Sequence, residues 1–141
     1  MNPDLTAAVR DSFDRQGMMQ TLGGRIDLLE VGRCHISAPV TPAVSQQHGA
    51  GHAGLTFTLG DTAAGYAALT QMPTGSEVMT AEIKIHLLRP ARGDRLQARG
   101  EVIKAGRRLT VVRADVFALT DAGEVLVAVL MGTMVPVSPA A

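Results

Sequence analysis

The chain has 141 residues, with 13 Lys or Arg and 13 Asp or Glu, so its formal net charge is zero. That balance argues against a nucleic-acid partner or a membrane-surface partner, because both need a basic face. One cysteine and four aromatic residues (three Phe, one Tyr, no Trp) predict neither a disulfide framework nor a base-stacking surface. The length suits a single domain over residues 1–141.

Localisation signals are the second feature that the sequence limits. Charged residues recur through 1–16, which has no apolar core of a secretory signal. The apolar stretch 125–137 is too short to cross a bilayer as a helix, and the longer stretch 49–72 has Asp61 at its middle. We therefore expect a soluble cytoplasmic protein with no membrane partner.

The first forty residues predict one helix and then extended chain. Apolar residues at helical spacing predict a helix over 3–16, with Asn2 as the N-cap and Pro3 at the first helical position. Residues 25–40 read as a strand or a bent strand pair around Val31-Gly32.

Residues 52–70 predict a helix that is apolar nearly all round and therefore buried in the core. After it the apolar period changes from 3.6 to 2, which predicts four antiparallel strands, over 78–89, 95–104, 108–119 and 124–137. The expected fold class is α+β, an antiparallel sheet wrapped around one long buried helix and preceded by an N-terminal helix. The last strand is apolar in both phases, so we expect a second subunit to cover the outer face of the sheet.

Asp61 is the residue of this helix that most needs an explanation. A carboxylate in an apolar helix is costly unless it is paired. A helical wheel places Asp61 on a stripe of small residues, Gly54, Thr58, Gly65 and Ala68. One interpretation is a structural aspartate that is satisfied by threonine hydroxyls and neighbouring backbone. The other is a nucleophile or general base that faces a ligand.

The glycine-rich segment 46–54 leads directly into this helix. Free N–H groups at a helix start can stabilise an oxyanion, and glycine lets a ligand oxygen come close to them. Ala53 and Asp61 are eight residues apart, about 12 Å along a helix. One copy of the helix cannot bring both to one carbon atom, so the chemistry predicts a dimer with the helix start of one chain facing Asp61 of the other.

Two stretches resemble a known family, QQHGAGHAGLTFTLGDTAAGYAAL and VMTAEIKIHLLRPARGDRL. They are similar to the PaaI-type acyl-CoA thioesterases of the hotdog-fold superfamily. The resemblance runs from about Gln46 to Val135. It implies the hotdog fold, a single thioesterase domain over 1–141 and hydrolysis of an acyl-CoA, with an aromatic or medium-chain acyl group.

The resemblance also implies roles for individual residues. Asp61 would be the nucleophile or the base, and His52 matches the family histidine in spacing. The amide of Ala53 would polarise the thioester carbonyl, a role that survives only if φ is negative there. Gln46 stands where the family has Asn, and it keeps an amide donor. Thr80 falls where some relatives place Ser or Thr, although the period-2 pattern predicts that it points away from the helix.

Substrate contacts are expected from Gly54, Arg89, Arg92 and Arg107, the arginines through the phosphates of coenzyme A. For each arginine a solvated turn is the alternative interpretation. The pair His48 and His52 lacks further ligands, so no metal is expected, and no cofactor is expected beyond the coenzyme A of the substrate.

The favoured function is therefore an acyl-CoA thioesterase that self-associates as a dimer or tetramer. Two alternatives stay open. One is a hotdog hydratase or dehydratase that acts on acyl thioesters through a His and Asp pair. The other is a non-catalytic acyl-CoA-binding protein.

Overall fold

The computed structural model describes residues 1–139. Three α-helices lie in this part of the chain: α1 (Pro3–Asp14), α2 (Gly17–Leu22) and α3 (Ala53–Leu69). The strands are β1 (Arg25–Glu30), β2 (Arg33–Pro39), β3 (Glu77–Leu87), β4 (Arg95–Ala105), β5 (Thr110–Thr120) and β6 (Gly123–Val137). A short 3₁₀ turn covers Pro42–Val44.

The N-terminal helix begins as predicted but ends earlier. The Asn2 side chain accepts a 2.8 Å hydrogen bond from the Asp4 N–H, and Pro3 occupies the first turn. The prediction of one helix over 3–16 is wrong at its end. Gln16 has extended backbone angles (φ −77°, ψ 108°), which interrupts the helix and starts the separate helix α2.

The strands form one antiparallel sheet in the order β1-β2-β4-β5-β6-β3. Of the two alternatives predicted for residues 25–40, a single strand or a strand pair, the pair is confirmed as the hairpin of β1 and β2. The four later strands are confirmed as well. Strand β3 lies at an edge of the sheet. It follows α3 in the chain and pairs only with β6 among the described strands.

Helix α3 packs on one face of this sheet, which confirms the predicted architecture. Leu59 and Ala63 are fully buried there. The backbones of helix and sheet meet at Gly100 of β4, where a Cβ atom would lie only 2.4 Å from the carbonyl carbon of Ala63. Glycine at this position therefore allows the close approach of the helix to the sheet.

A β-bulge in β3 changes which side chains face α3. The pairing of β3 with β6 shifts register between Thr80 and Glu82, which leaves Ala81 as the extra residue. Gly132 of β6 makes room for it, since a Cβ atom there would lie 2.3 Å from the Glu82 carbonyl oxygen. The bulge reverses the alternation of the strand at this point.

The orientation predicted for Thr80 is wrong because of that bulge. Before the bulge the even positions face the helix: Val78 lies beside Gly65 of α3, and Thr80 contacts Asp61. After it the odd positions Ile83 and Ile85 pack against the core. A regular strand cannot serve both sets, because its side chains alternate without interruption.

The sequence predicted that α3 is buried nearly all round, and this prediction is wrong for its N-terminal half. Its C-terminal half is covered by α1, where the rings of Phe13 and Tyr66 lie 6.1 Å apart. Its N-terminal half is open on the side away from the sheet, where Ala53 and Gly54 are exposed and Phe57 is 37% exposed. In a single chain the helix therefore presents an uncovered stripe.

Large apolar side chains are exposed next to this stripe and on the outer face of the sheet. Met79 and Leu87 of β3 and the following Leu88 are at least half exposed. On β6, Met131 is also about half exposed, opposite Arg113 of β5. The expected cover of the outer face by a second subunit stays a prediction. No helix among residues 1–139 has the length and apolarity needed to cross a bilayer.

Candidate active site

The start of α3 is fixed by a histidine cap. His52 is the N-cap residue, and its Nδ1 accepts a 2.8 Å hydrogen bond from the Gly54 N–H. A Cβ atom on Gly54 would lie 3.0 Å from that nitrogen, so glycine leaves room for the imidazole. The Gly54 N–H is therefore bonded to His52 and is not free to bind a ligand.

Ala53 is the first residue of α3, and its N–H is free. No acceptor within residues 1–139 contacts this N–H, which lies at the positive end of the helix dipole. No residue other than glycine has a positive φ in the described chain, so the condition set for an amide at Ala53 is met. The alanine keeps the donor that a glycine would supply.

Gln46 lies beside this amide, in the loop that precedes α3. Its side-chain oxygen accepts a hydrogen bond from the His48 N–H, which leaves the amide NH₂ as the end that can donate to a ligand. The loop is held by two further bonds, from Gly51 N–H to the Ala91 carbonyl (2.8 Å) and from Arg92 to the His48 carbonyl (3.2 Å).

A cavity of about 390 Å³ opens at this point, and we call it the helix-start cavity. Its wall includes Gln46, Ala53 and Arg89, together with apolar residues at the end of β3. The Arg89 guanidinium donates 2.9 Å to the Leu126 carbonyl. Three residues predicted separately from the sequence are therefore brought together, and Arg92 lies next to them in the same turn.

Asp61 belongs to a different cavity. The hydroxyl of Thr80 donates a 2.7 Å hydrogen bond to Asp61 Oδ1, and it also lies 3.3 Å from the sulfur of Met134. No donor in the described part of the chain contacts Asp61 Oδ2. The half-buried carboxylate borders a cavity of about 740 Å³, which we call the carboxylate cavity.

The surroundings of Asp61 weigh against a purely structural carboxylate. A structural aspartate in a core has its oxygens satisfied by neighbouring donors. Here one oxygen is bound by one hydroxyl, and the other is open to a cavity large enough for a ligand. This arrangement suits a group that attacks or deprotonates a bound molecule.

The two cavities are separated along α3. Eight residues of helix, about 12 Å, lie between Ala53 and Asp61. Arg107 lies outside both cavities, in the turn that joins β4 to β5. That turn is at the Thr80 end of the sheet, because Thr110 of β5 pairs with Met134 and Met134 pairs with Thr80. One chain thus carries an amide half-site and a carboxylate half-site at different places.

Three polar residues at the far side of the carboxylate cavity were not predicted to be functional. Ser12 of α1, Gln16 and Tyr66 of α3 all line this cavity. The sequence holds one sign of them: Ser12 and Gln16 continue the face that starts with Leu5 and Val9, so polar groups enter an apolar stripe. Within residues 1–139, no three His, Cys, Asp or Glu side chains converge as metal ligands.

One long helix on an antiparallel sheet, with a helix-start amide and a carboxylate on the next turns, defines a hotdog-fold protein. Residues 48–124 match the family model described as the thioesterase superfamily. The chain therefore belongs to the thioesterase superfamily and is a thioester hydrolase. The predicted PaaI-type resemblance and hotdog fold are confirmed by this match and by solved structures.

Three similar proteins illustrate the relationship. A thioesterase family protein from Silicibacter pomeroyi is 43% identical, with 96% of this chain and 99% of that chain covered and a TM-score of 0.93. The E. coli PaaI protein from the phenylacetic acid degradation operon shares the fold, with 24% identity, coverage of 95% and 94%, and a TM-score of 0.83. An esterase-named protein of Halobacterium salinarum is 29% identical over 86% of this chain and 83% of its own length.

Proposed function

We propose that this protein is an acyl-CoA thioesterase in which Asp61 attacks the thioester or activates the attacking water. The observation that carries the proposal is the Asp61 carboxylate, which is held through one oxygen by Thr80 and opens to the carboxylate cavity through the other. In a thioester hydrolase, a carboxylate oxygen with free lone pairs that faces a cavity of this size can attack a bound substrate or take a proton from water.

Two routes are open to this carboxylate. As a general base, Asp61 takes a proton from water, the water oxygen bonds to the thioester carbon, and the carbon–sulfur bond breaks. The departing thiolate then takes up the proton. As a nucleophile, Asp61 Oδ2 bonds to the carbon and expels the thiolate, and water later cleaves the resulting anhydride. Both routes place negative charge on the carbonyl oxygen.

The helix-start cavity supplies donors for that charge. The Ala53 N–H points out of the positive end of α3 and lacks a partner in the described chain. The Gln46 side-chain oxygen accepts from the His48 N–H, which leaves the NH₂ as the end that can donate to a ligand. Such preorganised donors are worth about 10²–10³ in rate for each one. We assign these two groups to the oxyanion and His52 to the positioning of the Ala53 turn.

The separation of the half-sites supports a dimer as the working unit. Ala53 and Asp61 lie about 12 Å apart on one helix, whereas both must lie about 3 Å from one reacting carbon. A two-fold axis beside α3 would bring the amide of one chain to the carboxylate of its partner. The open stripe of α3 and the free edge of β3, with Met79 and Leu87 exposed, are surfaces that such a partner would cover. Pairing of outer faces would extend the dimer to a tetramer.

Arginines near the cavities support a coenzyme A thioester as the substrate. Arg89 lines the helix-start cavity, and Arg92 is exposed beside it, so both can meet a phosphate that lies at the cavity mouth. Arg107 lies outside both cavities, at the opposite end of the sheet from Arg89, and the geometry supports no phosphate contact for it. Gly54 supports the site indirectly, because it has no Cβ atom and so leaves room for the His52 ring that caps α3.

The size of the carboxylate cavity and the state of the one cysteine bear on the acyl group and the location of the protein. We take the acyl group to be aromatic or medium-chain, because the carboxylate cavity, at about 740 Å³, is in the size range of small-molecule sites. Residues 1–141 act as one thioesterase domain without a cofactor. A cytoplasmic location is supported by the one cysteine, Cys34, which is buried and needs no oxidising compartment.

The test is Asp61→Asn and Asp61→Ala, assayed on a panel of acyl-CoAs by release of free thiol. We expect turnover to fall about 10²–10⁴-fold, as for loss of a general base. Asp121→Asn, in an exposed turn, is the matched control and should keep wild-type turnover. Near-wild-type turnover of the Asp61 variants would exclude Asp61 as the nucleophile or base.

Two other outcomes would favour the alternative functions. Hydration of an enoyl-CoA without thiol release would favour the hydratase, and thermal stabilisation by acyl-CoA without any turnover would favour the binding protein.

A further inference from the structure

We infer that Thr56 of α3 is a further catalytic residue, whose hydroxyl donates a hydrogen bond to the thioester sulfur as the carbon–sulfur bond breaks. The inference rests on the proposed function, because it takes the helix-start cavity as the space in which the carbonyl oxygen is held. It gives the departing thiolate a partner, which the two donors assigned to the carbonyl oxygen do not supply.

The Thr56 hydroxyl is buried and has no partner in the fold. The residue is 2% exposed. A threonine inside a helix can bond to the carbonyl oxygen four residues earlier, which here is that of His52. That oxygen instead accepts the N–H groups of Leu55 (2.9 Å) and of Thr56 itself (3.4 Å). No group within residues 1–139 forms a hydrogen bond with the Thr56 hydroxyl. A buried hydroxyl without a partner destabilises the fold unless a ligand or water meets it.

This hydroxyl opens to the helix-start cavity. Thr56 lines the cavity together with Ala53 and Gln46. Among the described residues that are not exposed, Arg95 Nε is the one side-chain nitrogen or oxygen that is fully buried without a hydrogen-bond partner. The unpaired oxygen of Thr56 is therefore not sealed in the core, and the small exposed area of the residue includes it. A ligand in the cavity can reach this oxygen.

The position of Thr56 relative to Ala53 identifies the substrate atom. Thr56 lies nearly one turn beyond Ala53, about 4.5 Å along the helix axis. Residues three apart share a helix face, and side chains lean toward the helix N-terminus, so the Thr56 hydroxyl leans toward the Ala53 N–H. A donor at this position can reach an atom next to the one that Ala53 binds.

The carbonyl carbon of a thioester has three substituents. The carbonyl oxygen is assigned to the Ala53 N–H and the Gln46 amide. The acyl chain begins with a carbon atom, which accepts no hydrogen bond. The sulfur is therefore the neighbouring atom that matches the free Thr56 donor.

The chemical step needs a partner for the sulfur. When the carbon–sulfur bond breaks, its electron pair passes to sulfur, which becomes a thiolate. Thr56 stabilises that charge through a hydrogen bond and keeps its own proton. The thiolate then takes up the proton released from the attacking water.

The experiment varies the leaving thiol and measures kcat/KM for octanoyl-CoA, the octanoyl thioester of phenylmethanethiol and that of 4-nitrothiophenol. Thr56→Val should lose about 10- to 100-fold on the first two, the worth of a hydrogen bond to a charged group. It should lose less than about threefold on the third, because the nitrophenyl ring already spreads the thiolate charge. Thr56→Ser keeps the hydroxyl and should stay within a few-fold of wild type on all three.

The stability of the variant separates a catalytic role from a structural one. Valine has the shape of threonine, and the hydroxyl has no partner in the fold, so Thr56→Val should have a urea midpoint equal to or above that of wild type. Thr110→Val is the matched control. Thr110 is 3% exposed and lies outside both cavities, so its variant should keep wild-type rates on all three thioesters.

Binding gives a second measurement that needs no turnover. At a pH above the pKa of the thiol, wild type should bind coenzyme A about tenfold more tightly than desulfo-coenzyme A, in which hydrogen replaces the thiol. Thr56→Val should lose most of this difference. Both ligands keep the rest of the molecule, so the difference reports on the sulfur alone.

Each contrary result has its own meaning. Equal losses of Thr56→Val on all three thioesters would move the hydroxyl to the carbonyl oxygen and overturn the inference. A loss on octanoyl-CoA alone, with an unchanged preference for coenzyme A over desulfo-coenzyme A, would overturn it in favour of a contact elsewhere on coenzyme A. Wild-type rates or a lowered urea midpoint in Thr56→Val would also overturn it and leave the thioesterase intact. Failure of wild type to release thiol from any acyl-CoA would overturn the proposed function itself.

Discussion

The hydroxyl of Thr80 donates a 2.7 Å hydrogen bond to the carboxylate of Asp61, although a regular strand would turn Thr80 away from the helix. The bulge at Ala81 makes this contact possible, and Gly132 on the neighbouring strand gives the bulge its space. A backbone irregularity in β3 thus fixes the orientation of the proposed catalytic carboxylate.

Replacing Thr80 tests this positioning. Thr80→Ala removes the donor, and we expect kcat to fall about 10- to 100-fold, because a hydrogen bond to a charged group is worth about 1.5–3 kcal/mol. Thr80→Ser keeps the hydroxyl and should restore most of the rate. The readout is kcat and KM for one acyl-CoA, with the loss confined to kcat. Equal rates for the Ala and Ser variants would show that the hydroxyl does not position Asp61.

The Ala53 amide can be removed without changing a side-chain contact. Proline is favoured at the first helical position and lacks an N–H, and His52 already has the extended angles (φ −62°, ψ 145°) that a following proline requires. We expect Ala53→Pro to lower kcat about a hundredfold or more while the urea midpoint stays near that of wild type. Ala53→Gly retains the N–H and should stay within a few-fold of wild type. A fully active proline variant would exclude this amide from the oxyanion.

The His52 cap makes a prediction about stability. His52→Ala leaves the Gly54 N–H without its acceptor, and we expect a loss of about 1 kcal/mol in the free energy of unfolding. His52→Asn should restore it, because Asn is a preferred N-cap residue. Urea denaturation gives the comparison. His48→Ala, at an exposed position in the preceding loop, is the control and should change stability little. Equal stability of wild type and His52→Ala would contradict the cap.

His35 predicts how stability depends on pH. Burial and the positive charges of Arg99 and Arg33 lower its pKa from the ordinary value of 6.5, and they outweigh the opposite effect of Asp27 and Glu30. The unfolded chain therefore binds the proton more tightly than the folded one, so protonation favours unfolding. Stability from this group is complete above the unfolded pKa and falls as the pH drops below it.

The measurement for His35 is the urea midpoint at about pH 7.5 and about pH 5. Wild type should lose more stability between the two than His35→Gln, which cannot take up the proton. If both proteins showed the same loss, the imidazole would titrate normally in the folded state.

Much of the fold could be predicted from the apolar pattern of the sequence. The long helix could be predicted from a continuous apolar segment of helical length, and the later strands from a change to period 2 that becomes a continuous apolar run in β6. Both ends of α3 agree with the prediction to within one residue. The break between α1 and α2 was missed because Gln16 and Gly17 interrupt the backbone without changing the apolar spacing. The bulge was missed because alternation assumes a constant register, and the glycine that permits it lies fifty residues later in the chain.

The candidate site divides in the same way. Asp61 could be found because a carboxylate in an apolar helix violates the local pattern, and Ala53 because it follows a glycine-rich entry. The sequence could not identify the polar group of Ser12, Gln16 and Tyr66, because nothing local shows that α1 packs on the C-terminal half of α3. Their contact spans about fifty positions, and only the tertiary structure brings them together.

The spacing of Ala53 and Asp61 along α3 has a genetic consequence if the dimer forms as proposed. A chain with Ala53→Pro retains its carboxylate, and a chain with Asp61→Asn retains its amide. Each homodimer is inactive, yet a mixed dimer has one site with both intact groups and one with neither. Unfolding and refolding equal amounts together should therefore restore about a quarter of wild-type activity, from the half of the dimers that are mixed. Two inactivating alleles of this gene would complement each other.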